Sequence, residues 1–252
     1  MSEASAEGAE PHPARPPAGP EVTLRLAVVL LVAASGAVEA VSFTALDHVF
    51  AGVMTSNLAL LGMAIGRGQN TGVTAAVLAL AGFGLGAAAV AWLTRRRTGA
   101  VPHWPTPVIL CLGGEAALLA VGAGVWAAVG GTPGDTLRDV LQFGAAAAMG
   151  IQAAAMVAAG RAAAPTTYLT GTLATYIVKG VGAARPDRWV PARLGALIVG
   201  AGACMALLRA APAWAAVLPA VLVLGALLTA CQPLTRMRRA PAGQGDAPAP
   251  PD

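Results

Sequence analysis

Residues 24–46 read LRLAVVLLVAASGAVEAVSFTAL. Between Arg25 at the edge of this stretch and Asp47 just beyond it, Glu39 is the only charged residue. Crossing a bilayer takes roughly 20 apolar residues, so the stretch is long enough to span one. A carboxylate inside it costs roughly 2.5–3.5 kcal/mol on insertion scales, and an intramembrane ionisable residue is by default a functional one.

The rest of the chain fits the same solvent. Apolar residues make up 56% and charged residues 11%, against about 25% charged in soluble domains. The apolar residues fall in blocks too long for a soluble core. They predict an all-α polytopic membrane protein with six transmembrane helices, at 24–46, 72–93, 107–129, 140–160, 192–209 and 213–231. Two shorter apolar pieces remain, at 54–66 and 167–182. At 1.5 Å per residue the first covers about 20 Å, short of a hydrocarbon core of about 30 Å. Both read as half-helices or re-entrant segments, which survive at membrane depth only when enclosed by protein or lining a cavity.

The polar residues recur. Gly36-Ala37-Val38-Glu39-Ala40 is followed by Thr55-Ser56-Asn57-Leu58-Ala59, and Gly150-Ile151-Gln152-Ala153 by Thr170-Gly171-Thr172-Leu173-Ala174. Gln152 stands 113 residues after Glu39, and Thr170 stands 115 after Thr55. This reads as two repeats, 24–129 and 140–231, each of three spans plus one half-helix. An odd number of spans makes the second copy enter from the opposite side, so the repeats are expected to be inverted. Inverted repeats with short segments at corresponding positions point to a transporter binding site.

The net charge of +4 is not a nucleic-acid signal, because the basic residues cluster at span ends. Placing both termini in the cytoplasm puts only Arg67, Arg138 and Arg209 outside, which satisfies the positive-inside rule. Trp92, Trp104, Trp126, Trp189 and Trp214 lie near predicted span ends, as in an aromatic belt. Residues 1–23 lack the pattern of a cleavable signal peptide. They and the tail 232–252, basic and then Pro/Ala-rich, are expected to be disordered and cytoplasmic.

Chemistry that needs a motif finds none here. Cys111, Cys204 and Cys231 sit in apolar blocks, which argues against a disulfide framework. His48 and His103 lie near opposite interfaces, so no shared metal is expected, and neither HExxH nor a P-loop occurs. No histidine within a span could serve a serine nucleophile as base. Neither an enzyme nor a cofactor is expected. Gly82, Gly84, Gly86, Gly62 and Gly66 read as close helix packing.

The residues left to carry function are Glu39, Glu115, Thr55, Ser56, Asn57, Gln152, Thr170 and Thr172. Glu39 and Glu115, eight residues into the third span, are the candidates to carry a coupling proton, and Gln152 matches Glu39 in the other repeat. Thr55, Ser56 and Asn57 open the first half-helix, where exposed amides and the positive dipole end can hold an anionic group. Tyr168 and Tyr176 flank the second motif. The competing reading makes all of them capping groups and interhelical glue.

Several of these residues carry a family resemblance. Gly36-Ala37-Val38-Glu39-Ala40-Val41-Ser42-Phe43, Phe50 with Met54-Thr55-Ser56-Asn57-Leu58, Gly150-Ile151-Gln152-Ala153 and Thr166-Thr167-Tyr168-Leu169-Thr170-Gly171-Thr172-Leu173 resemble the YoaK-type family of bacterial multispanning proteins, a domain of unknown function. Glu39 replaces the family's usual Asp, Ser56 its Gly and Ala153 its Asn. The resemblance implies an inner-membrane protein and supplies no substrate.

The sequence is thus read as a secondary transporter or channel-like permease for a small solute. Its expected partners are membrane lipid, that solute and further copies of itself in a homo-oligomer. The rival is a non-transporting scaffold or accessory subunit. Reporter fusions test the topology: those after Arg97, Arg188 and Arg239 should score cytoplasmic, and those after Gly134 and Ala211 external. A cytoplasmic signal at Gly134 would remove the six-span reading.

Overall fold

The computed structural model describes residues 19–95, 104–160, 166–167, 169–180 and 187–239, with side-chain surroundings given for residues within 22–231. The start of the N-terminal tail, the end of the C-terminal one, Arg96, Arg97, His103, Arg161, Tyr168 and Arg185 lie outside the described residues.

The described chain is all helical: α1 Gly19–Ala45, α2 Met54–Gly66, α3 Asn70–Thr94, α4 Thr106–Ala128, α5 Asp135–Ala159, α6 Thr170–Gly180, α7 Trp189–Ala210 and α8 Val217–Arg239, with a 3-10 turn Pro212–Trp214 before α8. Six of these segments are long and apolar enough to cross a membrane: Val22–Ala45, Asn70–Thr94, Thr106–Ala128, Asp135–Ala159, Trp189–Ala210 and Pro212–Cys231. They match the six expected spans, and α2 matches the first short piece.

The differences lie at helix ends and have local causes. α1 begins at Gly19, inside the expected tail. Pro20 fits a first turn, where its missing N–H costs nothing. α5 begins five residues early at Asp135, because a charged first turn carrying Asp135 is a good helix start although it is a poor apolar run. α7 takes in Trp189 and Pro191 for the reason given for Pro20. α8 runs on to Arg239, through residues expected to be tail. Thr167, read as part of the second short piece, precedes α6, as does Thr166.

Two helices form the centre. α1 packs against α7 and α8, α5 packs against α3 and α4, and α4 also meets α8. The close crossings need glycine. A Cβ on Gly36 would collide with the Leu197 carbonyl, and one on Gly150 with the Phe83 carbonyl. A Cβ on Gly200 would strike the Ala33 carbonyl, and one on Gly86 the Ala147 carbonyl. The partners run in a fixed step: Gly36 and Gly150, Phe83 and Leu197, Gly86 and Gly200, Ala33 and Ala147 are each 114 residues apart. Helix contacts this close are made with small residues because dispersion, not hydrophobicity, holds helices together in lipid.

The other glycines divide. Gly82 joins the α3–α5 crossing, opposite the Phe143 carbonyl, whereas Gly84, Gly62 and Gly66 have nothing within 4 Å of an added Cβ. The expectation that all five mediate contacts therefore holds for Gly82 and Gly86 and fails for the others. The tryptophans divide too. Trp92 and Trp214 are exposed at helix ends, but Trp104 and Trp126 are buried. Trp126 donates its indole N–H to the Pro212 carbonyl at 2.8 Å, tying α4 to the 3-10 turn instead of facing lipid.

Two glycines on one helix make a matched test. Gly86→Ala should destabilise by about 1–3 kcal/mol, since the added methyl meets backbone that cannot move aside. Gly84→Ala should stabilise, by up to about 1 kcal/mol, through helix propensity alone. Equal melting temperatures for the two variants would contradict the crossing.

Candidate functional site

Glu39 lies six residues before the end of α1, about 9 Å back along the helix at 1.5 Å per residue. Its carboxylate nonetheless accepts hydrogen bonds from the segment that follows α1: Oε2 from the Ala51 N–H at 2.9 Å and Oε1 from the Gly52 N–H at 2.7 Å. The chain therefore turns back along α1 after Ala45, and Asn57 near the start of α2 is buried in the bundle.

The same turning segment is held at two further points. Ser42, one turn beyond Glu39, lies 2.8 Å from the Val49 carbonyl and 2.6 Å from Gln142 Oε1 of α5. A hydroxyl has one proton, so it serves one of these acceptors at a time. With the Gln142 amide turned, its unpartnered Nε2 donates to Ser42 and frees the hydroxyl for Val49. Asn57 is fully buried. Its Oδ1 accepts from the Phe50 N–H at 2.9 Å, and its Nδ2 donates to the Phe50 carbonyl at 2.6 Å. Val49, Phe50, Ala51 and Gly52 thus have backbone groups satisfied by three side chains. Charge-assisted bonds such as those to Glu39 are the stronger kind.

Sterics complete the clamp. A Cβ on Gly52 would lie 2.9 Å from Glu39 Oε1 and 3.5 Å from Met149 of α5, so only glycine lets this amide approach. Phe43 and Phe50 stack at 4.8 Å across the turn. His48 adopts φ 56, the left-handed region, and its ring Nδ1 lies 2.9 Å from the Phe43 carbonyl.

Charge gathers just above the clamp. Arg138 sits 3.9 Å from Asp47 and 3.6 Å from Asp135. Burial pushes the Asp47 carboxyl above its ordinary range, and Asp139 adds to this against the pull of Arg138. A raised acid favours folding most at low pH, so Asp47's contribution is present below its ordinary pKa and fades as the pH rises through the raised value.

The expected site residues do not form one group. Glu39 and Asn57 meet on the turning segment. Thr55 is exposed and Ser56 half-buried. Val53 is the N-cap of α2, with no side-chain cap, so the expected capping by the Thr55-Ser56-Asn57 run is corrected. Asn57 reaches backwards instead, because its position in α2 faces the segment it clamps. Thr170 is exposed and Thr172 half-buried on α6, which has no buried residue. Tyr176 is half-buried there.

Gln152 is fully buried and donates to Thr166 Oγ1 at 2.8 Å and to the Leu31 carbonyl at 3.3 Å. It is not the register counterpart of Glu39. By the step of 114 that relates the glycine crossings, Glu39 corresponds to Ala153, Ser42 to Met156 and Asn57 to Gly171. The corresponding positions in the second half carry none of the three clamping side chains. Gln152 partly replaces them, since its partner Thr166 corresponds to Gly52. Glu115 is also fully buried, in α4, and neither carboxyl oxygen has a hydrogen-bond partner among the described residues.

Ser42, Gln142 and Thr166 are the polar residues that the sequence reading assigned no role. Ser42 was detectable, because three residues after Glu39 is the same helix face. Gln142 and Thr166 become relevant only once the halves are packed. Among the described residues no cluster of three metal-ligating side chains occurs.

Comparison with known proteins gives the family. The family described as "Protein of unknown function (DUF1275)" matches residues 27–229. The chain is 32% identical over 148 residues to the UPF0700 transmembrane protein YoaK of Bacillus subtilis (strain 168). That match covers 59% of this chain and 63% of that protein, so the chain spans under two thirds of its relative's length. No solved structure matches. The family match takes in all six apolar helices except their outermost residues and includes the entire Glu39 clamp, so this chain is an integral membrane protein of the YoaK type, belonging to the DUF1275 family.

Proposed function

We propose that this protein is a secondary transporter or channel-like permease for a small solute in the bacterial inner membrane, with both termini cytoplasmic and no enzymatic activity. Its two halves are inverted repeats. The exchange of partners, with α1 on α7 and α8 and α5 on α3 and α4, supports that arrangement, as do the glycine contacts related by 114 residues. Inverted repeats with interrupted helices place substrate sites where the backbone breaks.

One observation carries the reading: a titratable side chain, Glu39, holds the Ala51 and Gly52 amides of a backbone break inside the bundle. An ionised carboxylate accepts from both amides. A proton on one oxygen removes the negative charge and makes that oxygen a poorer acceptor, so the bonds to the two amides weaken. Proton arrival therefore loosens the segment that joins α1 to α2, and proton departure tightens it. That is the coupling step a proton-driven permease needs. A second reading, the non-transporting scaffold, is favoured by the number of bonds that Glu39, Ser42 and Asn57 spend on this segment alone.

Glu39→Gln separates the two. The Gln amide points an N–H at a backbone N–H, so both readings expect a loss of about 1.5–3 kcal/mol, the worth of one bond to a charged group. Flux is what differs. Proteoliposomes holding a pH-sensitive dye should report saturable, solute-dependent proton movement with one class from a panel of cations, amino acids, sugars and carboxylates. Folded Glu39→Gln protein should lose it. Wild-type protein that moves no member of the panel would overturn the permease reading in favour of the scaffold.

A further inference from the structure

The clamp leaves one set of buried polar atoms unused. Glu115 and Gln152 are both fully buried, and both Glu115 oxygens and Gln152 Oε1 lack partners among the described residues. So does Thr167 Oγ1, next in the chain to the Thr166 hydroxyl that Gln152 Nε2 holds. Three side chains with unfilled acceptors in one bundle are unusual, since buried polar groups are nearly always bonded.

Helix register sets Glu115 and Gln152 about one turn apart across the α4–α5 contact. α4 and α5 are joined by a short connection and run antiparallel, with a Cβ on Gly122 3.8 Å from Leu141. Two turns back from Gly122 on the same face is Glu115, and two turns on from Leu141 is the buried Ala148. One turn further, about 5.4 Å, is Gln152. Helical side chains lean toward their own N-terminus. In an antiparallel pair, Glu115 then leans toward Gln152 and Gln152 leans back toward Glu115. The Gln152 amide is not free to turn over, because its Nε2 faces the Leu31 carbonyl, an acceptor only. Its oxygen therefore stays available.

We infer that Glu115 and Gln152 Oε1 form the core of a binding site for a small monovalent cation, an alkali ion or an ammonium group. With Glu115 ionised, its two oxygens and Gln152 Oε1 can only accept or coordinate, so a ligand held between them is a donor or a cation. One carboxylate balances a single positive charge. A divalent ion would keep an excess charge in a low-dielectric interior, and such ions use more oxygen ligands, usually several carboxylates. The inference rests on the permease reading for its purpose, since it names the solute class, but binding can be measured without transport.

The test is melting of the full-length purified protein in detergent at constant ionic strength, with sodium, potassium, ammonium or methylammonium chloride replacing N-methylglucamine chloride. A ligand of the native state raises the melting temperature. The wild type should show a saturable rise of several degrees with at least one small cation. Glu115→Leu removes an unpaired buried carboxyl, so it should melt at or above the wild type in N-methylglucamine and lose the cation-dependent rise. Glu115→Gln, which keeps the size, should lose it as well. No rise in the wild type, or an equal rise in Glu115→Leu, overturns the site. Flux of the same cation into liposomes separates the two readings. Binding without flux overturns the permease and leaves the site standing, whereas flux with no melting shift overturns the site alone.

Discussion

Backbone that leaves a helix inside a bilayer must find its hydrogen-bond partners in the protein, because lipid offers none. Residues 49–52, largely buried within the bundle, face the same demand, and Glu39, Ser42 and Asn57 meet it. The glycine at position 52 and the proximity of Met149 follow from the same demand, since the carboxylate must reach an amide with no side chain in the way. The clamp also ties the halves together. Ser42 meets Gln142 of α5, so the turn is braced against the other half and not only against its own helix.

The two halves share their helix crossings but not their polar chemistry. Glycine meets carbonyl at matched places on α1–α7 and α5–α3. Yet Ala153, Met156 and Gly171 stand where the first half has Glu39, Ser42 and Asn57. Close packing is a requirement of each crossing and has been kept in both halves. The clamp belongs to a backbone break held by charge, and among the described residues it occurs in this form in the first half. In the second half Gln152 makes a single neutral bond to Thr166, weaker than a bond to a carboxylate.

Much of this was legible in the sequence, and what was not has physical reasons. The spans and the short α2 follow from apolar length, a property each segment carries alone. Glu39 stood out because a charge in such a segment is costly. Its partners did not, because backbone amides leave no trace in a sequence pattern and the segment that brings Ala51 and Gly52 back to Glu39 reads as an ordinary loop. The pairing of Glu39 with Gln152 misled by one residue. Polar similarity suggested a step of 113, while the glycines, which bear the contacts, obey 114. Trp126 was read as an interfacial residue from its position near a helix end, but position along a helix does not report which way the face points.

Amide hydrogen exchange at Ala51 and Gly52 tests the central claim most directly. If Glu39 holds these two groups, both amides should be strongly protected in the wild type, to a degree comparable with the interior of α1. In Glu39→Gln at least one of them should exchange much faster, while the amides of α3 and α5 keep their protection. Equal protection at Ala51 and Gly52 in the two proteins would contradict the account, since some other group would then be holding the turn.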